Sequence, residues 1–327
     1  MLDQIYYKDL KRRNNANGWA LCIYYLVMNV AVMVAMFFEV IIKLLPLSLY
    51  GNNPTDAQID HILLEASQNG WGYFLAMAFG FILLLMWKKK EFTFKTIWHR
   101  GKPMTVGAFI VLLCVLVSCQ LTFQLLTMLL ESILNALGLS AEQSVESATS
   151  VSTTFSMFLY AYVGAPIAEE ILFRGAVLRS VQPYGKRYAI FTSAFLFGIF
   201  HGNITQSPFA FAVGLILGYV AVEYSMLWAM VLHMVNNMGL NFMLSKLTEG
   251  LTYEQVMMTQ FGIIIGLSLA AYILLIVNHK KIGDYRRENP MPKGGMKAFF
   301  SAPGVIVLTI LMIVNMLVML FLENGGM

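Results

Sequence analysis

Charge is scarce in this chain. Asp, Glu, Lys and Arg together make up 12% of its 327 residues, about half the fraction of an ordinary soluble domain. With 58% hydrophobic residues and a mean hydropathy of +0.67, that shortage excludes a soluble globular enzyme and marks a polytopic membrane protein. Aspartate is rarer still. Asp3, Asp9, Asp56, Asp60 and Asp284 all lie outside the apolar stretches, so there is no intramembrane aspartyl dyad. Three cysteines, Cys22, Cys114 and Cys119, fall within apolar stretches; they offer neither a disulfide framework nor a metal motif. A His-Glu-x-x-His zinc helix and a Gly-x-Ser-x-Gly elbow are both missing. There is no internal repeat and no low-complexity tract, and polar connections of about 20 to 25 residues are short enough to be surface loops. Function must therefore reside in the membrane.

Apolar stretches are what the chain has in abundance. A hydrocarbon core takes about 20 apolar residues per helix, and candidate spans fall at 19–45, 71–87, 104–130, 151–173, 187–201, 208–223, 227–245, 256–278 and 303–322. The expected fold class is all-α, a transmembrane helix bundle of about nine spans, or eight if a middle one is re-entrant. All 22 lysines and arginines except Lys43 and Lys246 fall in 1–18, 88–103, 174–187 and 279–302. By the positive-inside rule these segments are cytoplasmic, which places the N-terminus inside and the C-terminus outside. The segments 46–70, 131–150 and 246–255 are correspondingly acidic. The formal net charge of +4 is then the bias of an inner membrane face; it implies lipid as a partner and no nucleic acid.

Against this background two adjacent carboxylates stand out. Glu169 and Glu170 interrupt the apolar run from Val151 to Phe173, and Arg174 follows four residues after Glu170. An ionised group at this depth costs several kcal/mol and faces a protein interior or a wet cavity. In an α-helix Glu170 and Arg174 share a face and pair, while Glu169 points about 100° away. Pro183 and Gly185 mark a turn, and counting outward from it brings Glu169 and His201 to similar height across an antiparallel hairpin. Phe197 lies four residues before His201 and offers an apolar wall. His233 and Asn237 share one face of a later helix, beside Asn236. A carboxylate and a histidine can activate water, and a second histidine with an amide can stabilise an oxyanion, which together describe amide hydrolysis. Asn29, Glu39 and Glu223 have no partner at diagnostic spacing and read as packing or loop-proximal groups. Gly214 and Gly218 form a small-xxx-small pair for close helix packing.

The motifs Glu169-Glu170-x-x-x-Arg174, Phe197-x-x-x-His201 and His233-x-x-x-Asn237, in this order, resemble those of the CPBP intramembrane proteases, also called the Abi or type II CAAX prenyl endopeptidase family. The resemblance covers about 150–245 and divides the chain into N-terminal helices at 1–149, a catalytic core at 150–245 and C-terminal helices at 246–327. It implies an endopeptidase acting on a membrane-associated protein or peptide, with Glu169 and His201 activating water, His233 and Asn237 supporting the oxyanion, and Glu170 with Arg174 as a structural pair. No cofactor is favoured. Zinc stays open, because Glu169, His201 and His233 could ligate it. A non-catalytic immunity or toxin-binding protein on the same fold is the alternative. A bacterial plasma membrane is the expected location.

Overall fold

The computed structural model describes residues 2–49, 54–89, 98–149, 154–238 and 244–325. Residues 90–97 of the basic 88–103 segment, 151–153 of the fourth expected span and 239–243 of the seventh lie outside the described residues. Among the described residues the chain is helical, without a strand. The elements are α1 (Leu2–Leu49), α2 (Asp56–Ser67), α3 (Gly70–Lys88), α4 (Val106–Ala136), α5 (Glu142–Thr149), a composite helix over 155–184, α6 (Lys186–Phe200), α7 (Gln206–Glu223), α8 (Met226–Met238), a single helical turn (Leu244–Leu247), α9 (Tyr253–Val277), α10 (His279–Glu288), α11 (Gly295–Phe300) and α12 (Pro303–Gly325). Six described helices are long and apolar enough to cross a membrane: Gln4–Leu49 within α1, then α3, α4, α7, α9 and α12. The chain is an all-α, multi-pass membrane bundle. The other three stretches expected to span, 151–173, 187–201 and 227–245, fall on the composite helix, α6 and α8, which are interrupted or shorter.

α1 starts well before the expected 19–45. At 1.5 Å per residue its 48 residues extend about 70 Å, more than twice a hydrocarbon core. Its first turns pack on protein instead of lipid. Asn17 donates to Ser180 Oγ (2.9 Å) and Asn14 to the Tyr188 hydroxyl (2.7 Å), so both buried amide groups find acceptors in the protein. Farther along, Lys43 pairs with Glu39 four residues earlier (3.0 Å) and with Glu65 of α2 (3.1 Å). The expectation that Glu39 lacks a partner is corrected by this i, i+4 pair and by Asn69, which donates to Glu39 at 2.7 Å. The Lys43 ammonium also holds the exposed Glu65 carboxyl below its ordinary range.

Where α1 crosses α12 the backbones touch. A Cβ on Gly18 would overlap the backbone of Gly304 and Val305, and one on Gly304 would overlap Asn15 and Trp19. Gly18→Ala must therefore push the two helices apart, at a cost of about 1 to 3 kcal/mol. The measurement is the thermal unfolding midpoint in detergent. Gly262→Ala is the control, because a Cβ there meets nothing within 4 Å, and its midpoint should stay the same or rise.

α6 and α7 form the tightest pair around the interior. Gly214 and Gly218 let α7 approach Ala194, Phe197 and Ile190 of α6, where an added Cβ would sit 3.1 to 3.2 Å from its neighbours. This is the close packing that their spacing predicts. Glu223, at the end of α7, is buried but well partnered: Lys186 at 2.7 Å, Lys102 at 3.5 Å and the Tyr285 hydroxyl at 3.1 Å. Its reading as a loop-proximal group holds, with partners too distant in sequence for spacing to reveal.

Candidate active site

The composite helix is not a regular α-helix. It widens into π geometry at Tyr160–Gly164 and again at Glu170–Leu178, separated by one α-turn, Ala165–Glu169. Pro166 explains the first widening: it has no N–H for the carbonyl four residues back and its ring crowds that carbonyl, so the turn before it opens. Such i→i+5 turns recur at functional sites. Glu169 and Glu170 straddle the start of the second one.

Three helices bring the motif residues together. Glu170 and Arg174 are both fully buried, and Oε1 lies 2.9 Å from Nη1, the pair that their spacing predicts. Nη1 is nevertheless out of line for a hydrogen bond. Arg174 is held by Coulomb attraction, by the Gly214 carbonyl at 3.4 Å, and by the face of Phe197, 4.3 Å from its guanidinium carbon.

The structure adds a second partner for Glu170. His233 Nδ1 lies 3.0 Å from the same Oε1. A carboxylate accepts only, so Nδ1 carries the proton and the neutral ring turns an Nε2 lone pair the other way. That Nε2 is 3.7 Å from Glu169 Oε2, too far for a hydrogen bond. Two acceptors at this separation can be satisfied by one water donating to both. The glutamates thus occupy distinct environments around one imidazole: Glu170 is sealed, and Glu169 has a side chain 33% exposed.

His201 caps α6, and its Nδ1 lies 2.8 Å from the Phe197 carbonyl. A carbonyl also accepts only, so Nε2 is again the free acceptor. Among the described residues no direct hydrogen bond joins His201 to Glu169, although both lie within electrostatic range. Phe197 acts as a partition. Its ring meets His201 edge-on at 4.8 Å and His233 at 5.8 Å, while Arg174 covers its face. Asn237 donates to the Ala161 carbonyl at 3.3 Å and accepts from Asn236 at 3.1 Å. Its second amide N–H is left for another acceptor.

Several lining residues were not legible in the sequence. Glu169 opens on a cavity of about 260 Å³ whose walls include Tyr24, Tyr25, Asn29, Tyr73 and Tyr160. Asn29, read from sequence as a packing group, lines this cavity; its Nδ2 donates to the Tyr25 carbonyl. Gln120 of α4 lies 3.4 Å from Asn236. A second, apolar cavity of about 260 Å³ shares Tyr24, Met77, Ala168 and Leu172 with the first. No short-range pattern ties α1, whose Asn29 precedes Glu169 by 140 residues, or α3, whose Met77 precedes it by 92, to this site.

The donor set can be tested against zinc. His233 Nε2 and Glu169 Oε2 are spaced closely enough to share an ion with ligand bonds of about 2 Å. Among the described residues, however, no group of three His, Cys, Asp or Glu side chains is arranged to hold a metal.

No curated protein and no solved structure matches the chain. Residues 151–239 do match the family model described as type II CAAX prenyl endopeptidase Rce1-like, and all three motifs fall inside that segment. Residues 151–239, about a quarter of the chain, are thus similar to this family of CAAX-type prenyl endopeptidases.

Proposed function

We propose that the chain is an intramembrane endopeptidase that hydrolyses a peptide bond of a membrane-associated protein or peptide through water activated by Glu169 and His201. The observation that carries this reading is the unequal setting of the adjacent carboxylates around His233. Glu170 fixes the His233 tautomer, much as the buried carboxylate of a hydrolase triad does; Glu169 stays accessible at the cavity. A water bound at Glu169 Oε2 loses a proton to that carboxylate as its oxygen attacks the carbonyl carbon. His201 Nε2, fixed as an acceptor, orients the same water. The Asn237 amide donates to the developing oxyanion, and His233 Nε2 does so once it has taken the water's proton on from Glu169, whose Oε2 lies 3.7 Å away. The proton then passes to the leaving nitrogen, and the C–N bond breaks. The twin cavities suit an apolar, extended segment lying between α1, α3 and the composite helix.

The test is peptide profiling of membranes from cells with and without the chain, followed by cleavage of the identified substrate in proteoliposomes. On this reading specific fragments disappear when the chain is removed, and exhaustive chelation leaves cleavage intact. Identical profiles would remove the peptidase reading. Stoichiometric zinc, lost together with activity and restoring it on return, would turn Glu169 and the histidines into ligands.

A further inference from the structure

A cavity of about 730 Å³ opens between the connection 98–103 and the first turns of α8, and the hydrolytic site does not use it. Trp228, on its wall, precedes His233 by five residues, about 7 Å along the helix. Backbone bonds fix its frame. Gly101 donates to the Tyr224 carbonyl (2.6 Å) and Lys102 to the Glu223 carbonyl (2.8 Å), and Arg100 bridges to Ser225. A Cβ on Gly101 would overlap the Glu223 carbonyl, so glycine is needed for this approach.

The lining is amphipathic in a particular way. His99, Arg100 and Lys102 contribute to it, with Trp98 and Trp228 alongside. Lys102 shares the buried Glu223 carboxylate with Lys186, so one negative charge faces two ammonium groups. The exposed Arg100 side chain has no ion-pair partner among the described residues. The basic rim therefore retains a positive excess. Beyond it runs an exposed apolar track: Val106 (77% exposed) and Ile110 (53%) on α4, and Leu227 (48%) on α8. Phe109 meets Trp228 edge-on at 5.8 Å between them. Tryptophan beside lysine and arginine is the chemistry of the membrane interface, and basic pockets between membrane helices hold anionic headgroups.

We infer that this cavity binds an anionic phospholipid, its phosphate between Arg100 and Lys102 and its acyl chains along the Val106–Ile110–Leu227 track. The inference is independent of the peptidase reading, because binding is measured without turnover. The experiment is native mass spectrometry of the purified full chain with phosphatidylglycerol and, separately, with phosphatidylcholine of the same acyl chains. Phosphatidylglycerol adducts should dominate. Arg100→Gln and Lys102→Gln should each weaken them roughly 5-fold, about the effect of one interfacial charge, while Arg100→Lys should retain them. Both side chains are exposed, and Glu223 keeps Lys186 when Lys102 is replaced, so the fold should tolerate these changes; Arg100→Ala is a second probe should Arg100→Gln fail to fold. Lys280→Gln with Lys281→Gln, on the basic α10, should change nothing. Equal adducts of the two lipids, equal sensitivity to the α10 pair, or binding of inorganic phosphate in place of lipid would each overturn the assignment.

Discussion

Glu169→Gln yields a folded protein with its thermal midpoint unchanged and its cleavage rate reduced by roughly 10² to 10⁴, the range that a positioned general base contributes. The amide fills the same volume beside His233 but cannot accept the proton of the attacking water. No buried ion depends on it, because Arg174 pairs with Glu170. Activity is measured on the substrate identified by profiling, and folding by gel filtration and thermal unfolding. A variant that cleaves at the wild-type rate would remove Glu169 from the chemistry, and the toxin-binding alternative would then gain ground.

Glu170→Gln reverses the pattern. The buried Arg174 loses its counter-charge, and breaking a buried pair from one side costs about 3 to 5 kcal/mol. Both side chains are fully buried, so solvent screening recovers little. His233 also loses the carboxylate that fixes its tautomer, so activity falls with stability. The comparison that decides is the unfolding midpoint of Glu170→Gln against that of Glu169→Gln. Adding Arg174→Met to Glu170→Gln should restore much of the stability, since an apolar side chain has no charge to leave unpaired, while activity stays lost. Equal destabilisation by the two glutamate variants would refute the division of labour.

Much of this arrangement was legible in the sequence because it rests on local spacing. Glu170 with Arg174 and Phe197 with His201 are i, i+4 relations, and the structure places both in contact. The all-α class follows from hydropathy alone. The orientation of His233 toward the two glutamates was not legible, because facing residues on separate helices is a matter of bundle packing. The π turns were hidden as well: α-helical spacing sets Glu169 simply on another face, whereas the widened backbone begins at the very next residue. The cavity wall was least accessible of all. Tyr24, Tyr25 and Asn29 sit on a long apolar helix whose sequence reads as an ordinary span, and only the pairing of α1 with α3 and the composite helix gives them a site to line. Nor did any spacing rule connect Glu223 to Lys102, Lys186 and Tyr285.

The wall facing Glu169 has a consequence for how such a protein diversifies. The matched segment, 151–239, contains every motif residue, but Tyr24, Tyr25, Asn29, Tyr73 and Met77 across the cavity belong to α1 and α3. On the proposed reading, the reacting groups and half of the wall that meets the reactant are encoded in separate stretches of the gene. On that reading, substitutions in the first 90 codons can reshape part of what reaches Glu169 while leaving every motif residue untouched.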